Sequence, residues 1–166
     1  VDGLDAGTGG NIYVDVFDSR RGGYIGLLSV FTDVAPDDWT RPFILAIYNA
    51  GISAGCHVDP GTGERQFCPD QLTNRQEAAV QIQRALGVFD QPEYEGIFSD
   101  MPVCDPDPAV FCWSRWAEEF FRQGITGGCL YNPGTGERRY CPTMEISRSH
   151  MAVFLQRTFA LPLPTL

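Results

Sequence analysis

The strongest constraint on this chain is a stretch that it contains twice. The first copy, residues 51–69, runs from Gly51-Ile52 through Gly55-Cys56 and Asp59-Pro60-Gly61-Thr62-Gly63 to Cys68-Pro69. The second, residues 124–142, runs from Gly124-Ile125 through Gly128-Cys129 and Asn132-Pro133-Gly134-Thr135-Gly136 to Cys141-Pro142. Each position of the first has its counterpart 73 residues later, as in Cys56 with Cys129 and Cys68 with Cys141. Self-similarity of this quality means that one supersecondary unit has been duplicated.

The six cysteines follow the duplication. Six cysteines allow 15 pairings, but a duplicated unit most simply closes its own bridge twice. The expected pairs are Cys56–Cys68, Cys129–Cys141 and, in a further local couple, Cys104–Cys112. Each such loop stabilises by about 3 kcal/mol in the chain-entropy estimate. Bridges persist in oxidising surroundings, which places the protein outside the cell. Zinc on Cys56, His57 and Cys68 is the rival reading. It has no Cys-x-x-Cys knuckle, and His57 becomes Leu130 in the second copy.

Helical periodicity flanks each copy. Asp37-Asp38 and Trp39 precede a helix with Phe43, Ile44, Ile47 and Tyr48 at its spacing, stopped by Gly51. Asn74 caps a second helix whose expected buried face is Ala78, Ala79, Ile82, Ala85 and Leu86, ending at Gly87. In the second repeat Trp116, Ala117, Phe120 and Phe121 take the places of Phe43, Ile44, Ile47 and Tyr48. Ser147 caps the last helix, with Met151, Ala152, Leu155, Thr158 and Phe159 on the matching face. Phe98 lies only 67 residues after Phe31, because an insertion around Cys104 and Cys112 restores the offset later. The expected fold is mainly α: two tandem helix–disulfide loop–helix repeats, residues 31–90 and 91–166, packed as one helical bundle.

Residues 1–30 differ in texture. Ile12, Tyr13, Val14, Val16 and Phe17 fall in a run of two-residue alternation that reads as a strand. A turn at 18–23 and an apolar run at 24–30 make a hairpin arm, which needs something to lie against because an isolated hairpin is marginal. The chain begins at Val1 without a basic-then-apolar leader, so any export signal is expected to have been removed or to lie outside these residues.

Bulk properties exclude some partners. A formal charge of −9 opposes a nucleic-acid surface and an anionic membrane face. No apolar run is long enough to span a bilayer. All twelve basic residues are Arg, which excludes Schiff-base chemistry on a lysine. The 59–64 loop has oxygens that suggest Ca²⁺, but Asn132 replaces Asp59 and the alternating acids of an EF-hand are missing. His150 has no partnered nucleophile, and the adjacent acids Glu118 and Glu119 do not converge on a helix. The expectation is no enzyme, no cofactor and no metal.

Phe31-x-Asp33-Val34, Trp39, Gly51-Ile52-x-x-Gly55, Asn74-Arg75-Gln76-Glu77 and Arg84-Ala85-Leu86-Gly87 together resemble the S-layer homology module, in a cysteine-bearing form. Phe98-x-Asp100, Gly124-Ile125-x-x-Gly128 and Ser147-Arg148-Ser149-His150 carry the likeness through the second copy, to about residue 160. The resemblance implies a bacterial cell-surface protein. Family members usually carry three such modules and hold on to secondary cell-wall polysaccharide through a tetrad that opens the second helix. Carried over, that implies glycan binding by Asn74, Arg75 and Glu77, and by Ser147 and Arg148. His150 departs from the tetrad's acid, and a third repeat is not present in these residues. Two functions are therefore expected, in this order: a structural protein that assembles with copies of itself into a filament or layer through its N-terminal arm, and a wall-polysaccharide anchor.

Overall fold

The computed structural model describes residues 16–18, 23–25, 30–107 and 109–163. The chain divides into two compact units, Val1–Gln71 and Leu72–Leu166. Of the arm residues, Ile12, Tyr13 and Val14 lie outside the described residues, whereas Val16 and Phe17 fall in a strand.

In the first unit, β1 (Val16–Asp18) pairs antiparallel with β2 (Gly23–Ile25), with Val16 opposite Ile25. Helix α1 (Arg41–Asn49) starts with proline in its first turn, where a missing N–H costs nothing. Asp38 braces the approach by accepting from the Thr40 backbone N–H at 2.8 Å and from its hydroxyl at 2.7 Å. Strands β3 (His57–Val58) and β4 (Arg65–Gln66) then form a two-residue ladder. Phe31, Val34 and Ile44 make a small core. Phe31 packs edge-on to Tyr48 and Phe67, each at 5.3 Å between centroids.

The second unit contains α2 (Arg75–Ala85), α3 (Trp113–Arg122), the ladder of β5 (Leu130–Tyr131) and β6 (Arg138–Arg139), and α4 (Arg148–Thr158). Its core is larger, gathering Ala79, Phe98, Met101, Ala117, Phe120, Ile125, Tyr140 and Phe154. Helix α2 belongs to the first repeat by sequence, yet it packs on α3 of the second. Helix α4 enters the core through Phe154, whose ring stands edge-on to Phe120 at 5.0 Å.

The expectation of one mainly helical bundle is overturned. Among the described residues the four helices are short, at 9, 11, 10 and 11 residues, and three two-stranded ladders accompany them. Within the second unit α2 on α3 is the helix pair in direct backbone proximity. The physical reason lies in how the intervening chain is satisfied. Carboxylates and disulfides, rather than neighbouring helices, hold the segments between α-helices. Glu118, fully buried on α3, accepts the backbone N–H groups of Glu95, Gly96 and Ile97 at 2.6–2.9 Å. Arg115 reaches the carbonyls of Pro92 and Asp105. Much of the chain thus gains order without helix-on-helix packing.

All three bridges are closed: Cys56–Cys68, Cys104–Cys112 and Cys129–Cys141. Three disulfides are consistent with an extracellular or secreted protein. No helix among the described residues is long and apolar enough to cross a membrane.

Candidate functional site

The loops closed by Cys56–Cys68 and Cys129–Cys141 are braced alike by one carboxylate each. Asp33 accepts the Phe67 and Cys68 N–H groups at 2.8 and 2.7 Å; Asp100 accepts those of Tyr140 and Cys141 at 2.7 and 2.8 Å. These braces hold Cys68 and Cys141 at positive φ, 55° and 56°, a conformation that side chains adopt only under external restraint. Asp100 lies close to Cys129 and Cys141, but those sulfurs are joined to each other and the carboxylate faces backbone donors. The Asp59 carboxylate is turned onto the Thr62 and Gly61 N–H groups, which lower its pKa, and Asn132 accepts the equivalent bond from Gly134. An oxygen acceptor explains both residues without an ion.

The tetrads expected to bind glycan are placed differently. Asn74 and Glu77 close a capping box: the Asn74 side chain accepts from Glu77 N–H, and the Glu77 carboxylate accepts from Asn74 N–H, both at 3.0 Å. Arg75 is 4 % exposed. Its Nε donates to the Tyr140 carbonyl at 2.8 Å and its Nη2 to the Thr126 hydroxyl at 3.1 Å. The guanidinium also lies over the rings of Tyr140 and Phe154, 4.9 and 5.4 Å from their centroids. Burial pulls its pKa below the ordinary arginine value. Arg75 therefore locks α2 onto the second repeat.

Its counterpart Arg148 stands exposed at the start of α4. Ser147 caps that helix on the His150 N–H at 3.2 Å, and His150 supplies no carboxylate to complete a box. Among the described residues the Arg148 guanidinium has no hydrogen bond or ion pair. It lines an open cavity of about 430 Å³ with Thr73, Ile146, Met151, Ala152 and Leu155.

The repeats differ most in what covers them. In the second repeat Trp116 is fully buried, with the Gln83 amide of α2 on its carbonyl at 2.6 Å and Arg84 over its ring at 5.5 Å. In the first repeat the counterpart Phe43 is 65 % exposed and Trp39 is 80 % exposed. The two rings pack edge-on at 6.3 Å on the outside of α1. Helix α4 shows the same contrast. The face expected to be buried by analogy with α2 is open: Ala152 and Phe159 are exposed, and so is Leu155. Phe154 is the residue that α4 buries instead.

Sequence reasoning missed this division, together with the bracing roles of Glu118 and Arg115. The repeat offset alone carried the signal, since it pairs Trp116 with Phe43 and Arg75 with Arg148. No protein-family model matches the chain, and no curated protein matches it.

Proposed function

We propose that this chain is a non-catalytic structural protein of the cell surface that assembles with copies of itself. The observation that carries the reading is the bare aromatic pair Trp39–Phe43, at a position where the second repeat keeps Trp116 covered by a helix. Exposed paired aromatics on a disulfide-stapled repeat mark an interaction surface. A net charge of −9 makes like copies repel one another, so any joint between them has to come from local apolar and hydrogen-bonded contacts. The N-terminal arm is a second joint, by strand addition to a neighbour. The test is light scattering on the native protein over a range of concentrations. Species larger than one 18.4 kDa chain support the reading; a monomer throughout overturns it.

An S-layer-homology-type anchor for wall polysaccharide is the second reading. Its support is Arg148 beside an open cavity, with a guanidinium able to receive an acidic sugar in bidentate fashion. Retention of the protein by purified acidic wall polysaccharide, lost in Arg148→Ala, is the expected result. Equal retention of both proteins removes Arg148 from that role.

A further inference from the structure

We infer that α4 of one copy docks on the first repeat of a second copy, reproducing between chains the contact that α2 makes with the second repeat inside one chain. The inference rests on the self-assembly reading above and names its joint.

The two helices share most of the residues that make the internal contact, although Ile82, which packs on the second-unit core, becomes Leu155. Arg75, Ala79, Val80, Gln83 and Arg84 of α2 recur as Arg148, Ala152, Val153, Gln156 and Arg157 of α4. Four of the five α2 residues (Arg75, Ala79, Val80 and Gln83) are buried, while Arg148, Ala152 and Val153 of α4 are exposed. The open cavity shares Arg148 and Ala152 with this face of α4. Arg148, Ala152 and Val153 thus repeat buried residues of the sibling helix and stay bare, whereas Gln156 and Arg157 are held within the chain on the Leu161 and Ile125 carbonyls.

The acceptor is matched in kind rather than in identity, and its hydroxyl residue Ser53 is already buried in the single chain. Tyr140, whose carbonyl receives Arg75, corresponds to Phe67, and Thr126, whose hydroxyl receives the other nitrogen, corresponds to Ser53. Both hydroxyls sit in the same local turn, accepting the N–H of Gly128 and of Gly55. Trp116, which receives Gln83 and Arg84, corresponds to the bare Phe43. Docked this way, Arg148 donates to the Phe67 carbonyl and the Ser53 hydroxyl. Gln156 leaves the Leu161 carbonyl, which it holds at 2.6 Å in the single chain, for that of Phe43, and Arg157 leaves the Ile125 carbonyl, held at 3.1 Å, for the Phe43 ring.

One difference sets the strength. The Tyr140 hydroxyl donates to the Arg75 carbonyl at 2.9 Å, and Phe67 has no hydroxyl to do the same for Arg148. The contact between copies is thus weaker than the internal one, and assembly depends on concentration. Donor and acceptor are different surfaces, so the association is heterologous and propagates head to tail into rings or filaments.

Two full-length variants test this, Arg148→Glu at the donor and Phe43→Asp at the acceptor, with Ala152→Glu replacing the first if it alters the far-ultraviolet dichroism. Each alone is expected to remain a monomer over the range in which the native chain assembles. Mixed in equal amounts they should form a 1:1 heterodimer and nothing larger, because one intact donor meets one intact acceptor. Variants that assemble like the native chain overturn the inference and leave self-assembly through another surface standing. Monomeric variants that fail to pair on mixing overturn the head-to-tail geometry. A native chain that never assembles overturns both this joint and the reading it rests on.

Discussion

Arg75 and Tyr140 hold each other by opposite ends: the guanidinium of Arg75 donates to the carbonyl of Tyr140, and the hydroxyl of Tyr140 donates to the carbonyl of Arg75. The pair is buried, with the guanidinium over the phenol ring. Removing one member leaves the other's polar groups without partners in a dry site, which is the expensive way to break such a contact. Arg75→Ala should destabilise the second unit by about 3 kcal/mol in urea denaturation with disulfides intact. Arg75→Lys should recover little, because an ammonium cannot reach both acceptors and stack at once.

Tyr140 also imposes a pH limit. Burial raises its phenol well above the ordinary value, and the neighbouring Arg75 charge opposes this only in part. The folded state therefore favours the neutral phenol. That contribution is complete below the unfolded value of about 10 and is lost as pH rises beyond it toward the folded value. Urea midpoints measured from pH 8 upward should fall above about pH 10, and should fall less steeply in Tyr140→Phe. At neutral pH the same variant should lose about 1 kcal/mol through the missing hydrogen bond.

The carboxylate braces predict a local effect in each repeat. Asp100→Ala strips two charge-assisted bonds from the Tyr140 and Cys141 backbone and should cost about 3 kcal/mol in the second unit. Asp33→Ala should loosen 67–68 instead. Hydrogen exchange resolved by residue checks the assignment: the Phe67 and Cys68 amides should lose protection in Asp33→Ala, and those of Tyr140 and Cys141 in Asp100→Ala.

Two glycines at positive φ should respond differently to alanine. Gly128, at φ +91°, would place a Cβ 2.5 Å from the Arg139 carbonyl oxygen and 3.1 Å from the Phe98 ring. Gly63, at φ +74°, has nothing within 4 Å. Gly63→Ala should cost about 1 kcal/mol, the backbone term alone. Gly128→Ala should cost clearly more, because backbone must shift as well. Similar losses in the two variants would show that the close approach is not tight.

The repeat, the bridge partners and the four helix positions were legible in the sequence because each depends on local spacing. Cys56 and Cys68 carry their pairing in the offset, and Asn74, Ser147, Gly51 and Gly87 mark helix ends. The helical bundle was not there to be found, since amphipathic spacing says that a face is apolar and not what covers it. Helix α4 shows this directly: Ala152 and Leu155 fit the repeat, but Phe154 is the side chain in the core. Arg75 reads as a ligand-binding residue from its place in a tetrad, while its partners Tyr140 and Thr126 lie 65 and 51 positions away. Glu118 was equally opaque, because its partners are backbone N–H groups, which no residue type advertises.

The most direct test of the central claim is hydroxyl-radical footprinting of the native chain at low and high concentration, read by mass spectrometry. Assembly that covers the α1 surface predicts protection of Trp39 and Phe43 as larger species form, with α4 around Met151 and Leu155 protected in step. Unchanged reactivity of Trp39 and Phe43 in assembled material would contradict it, because the bare aromatic pair would then have no part in joining copies.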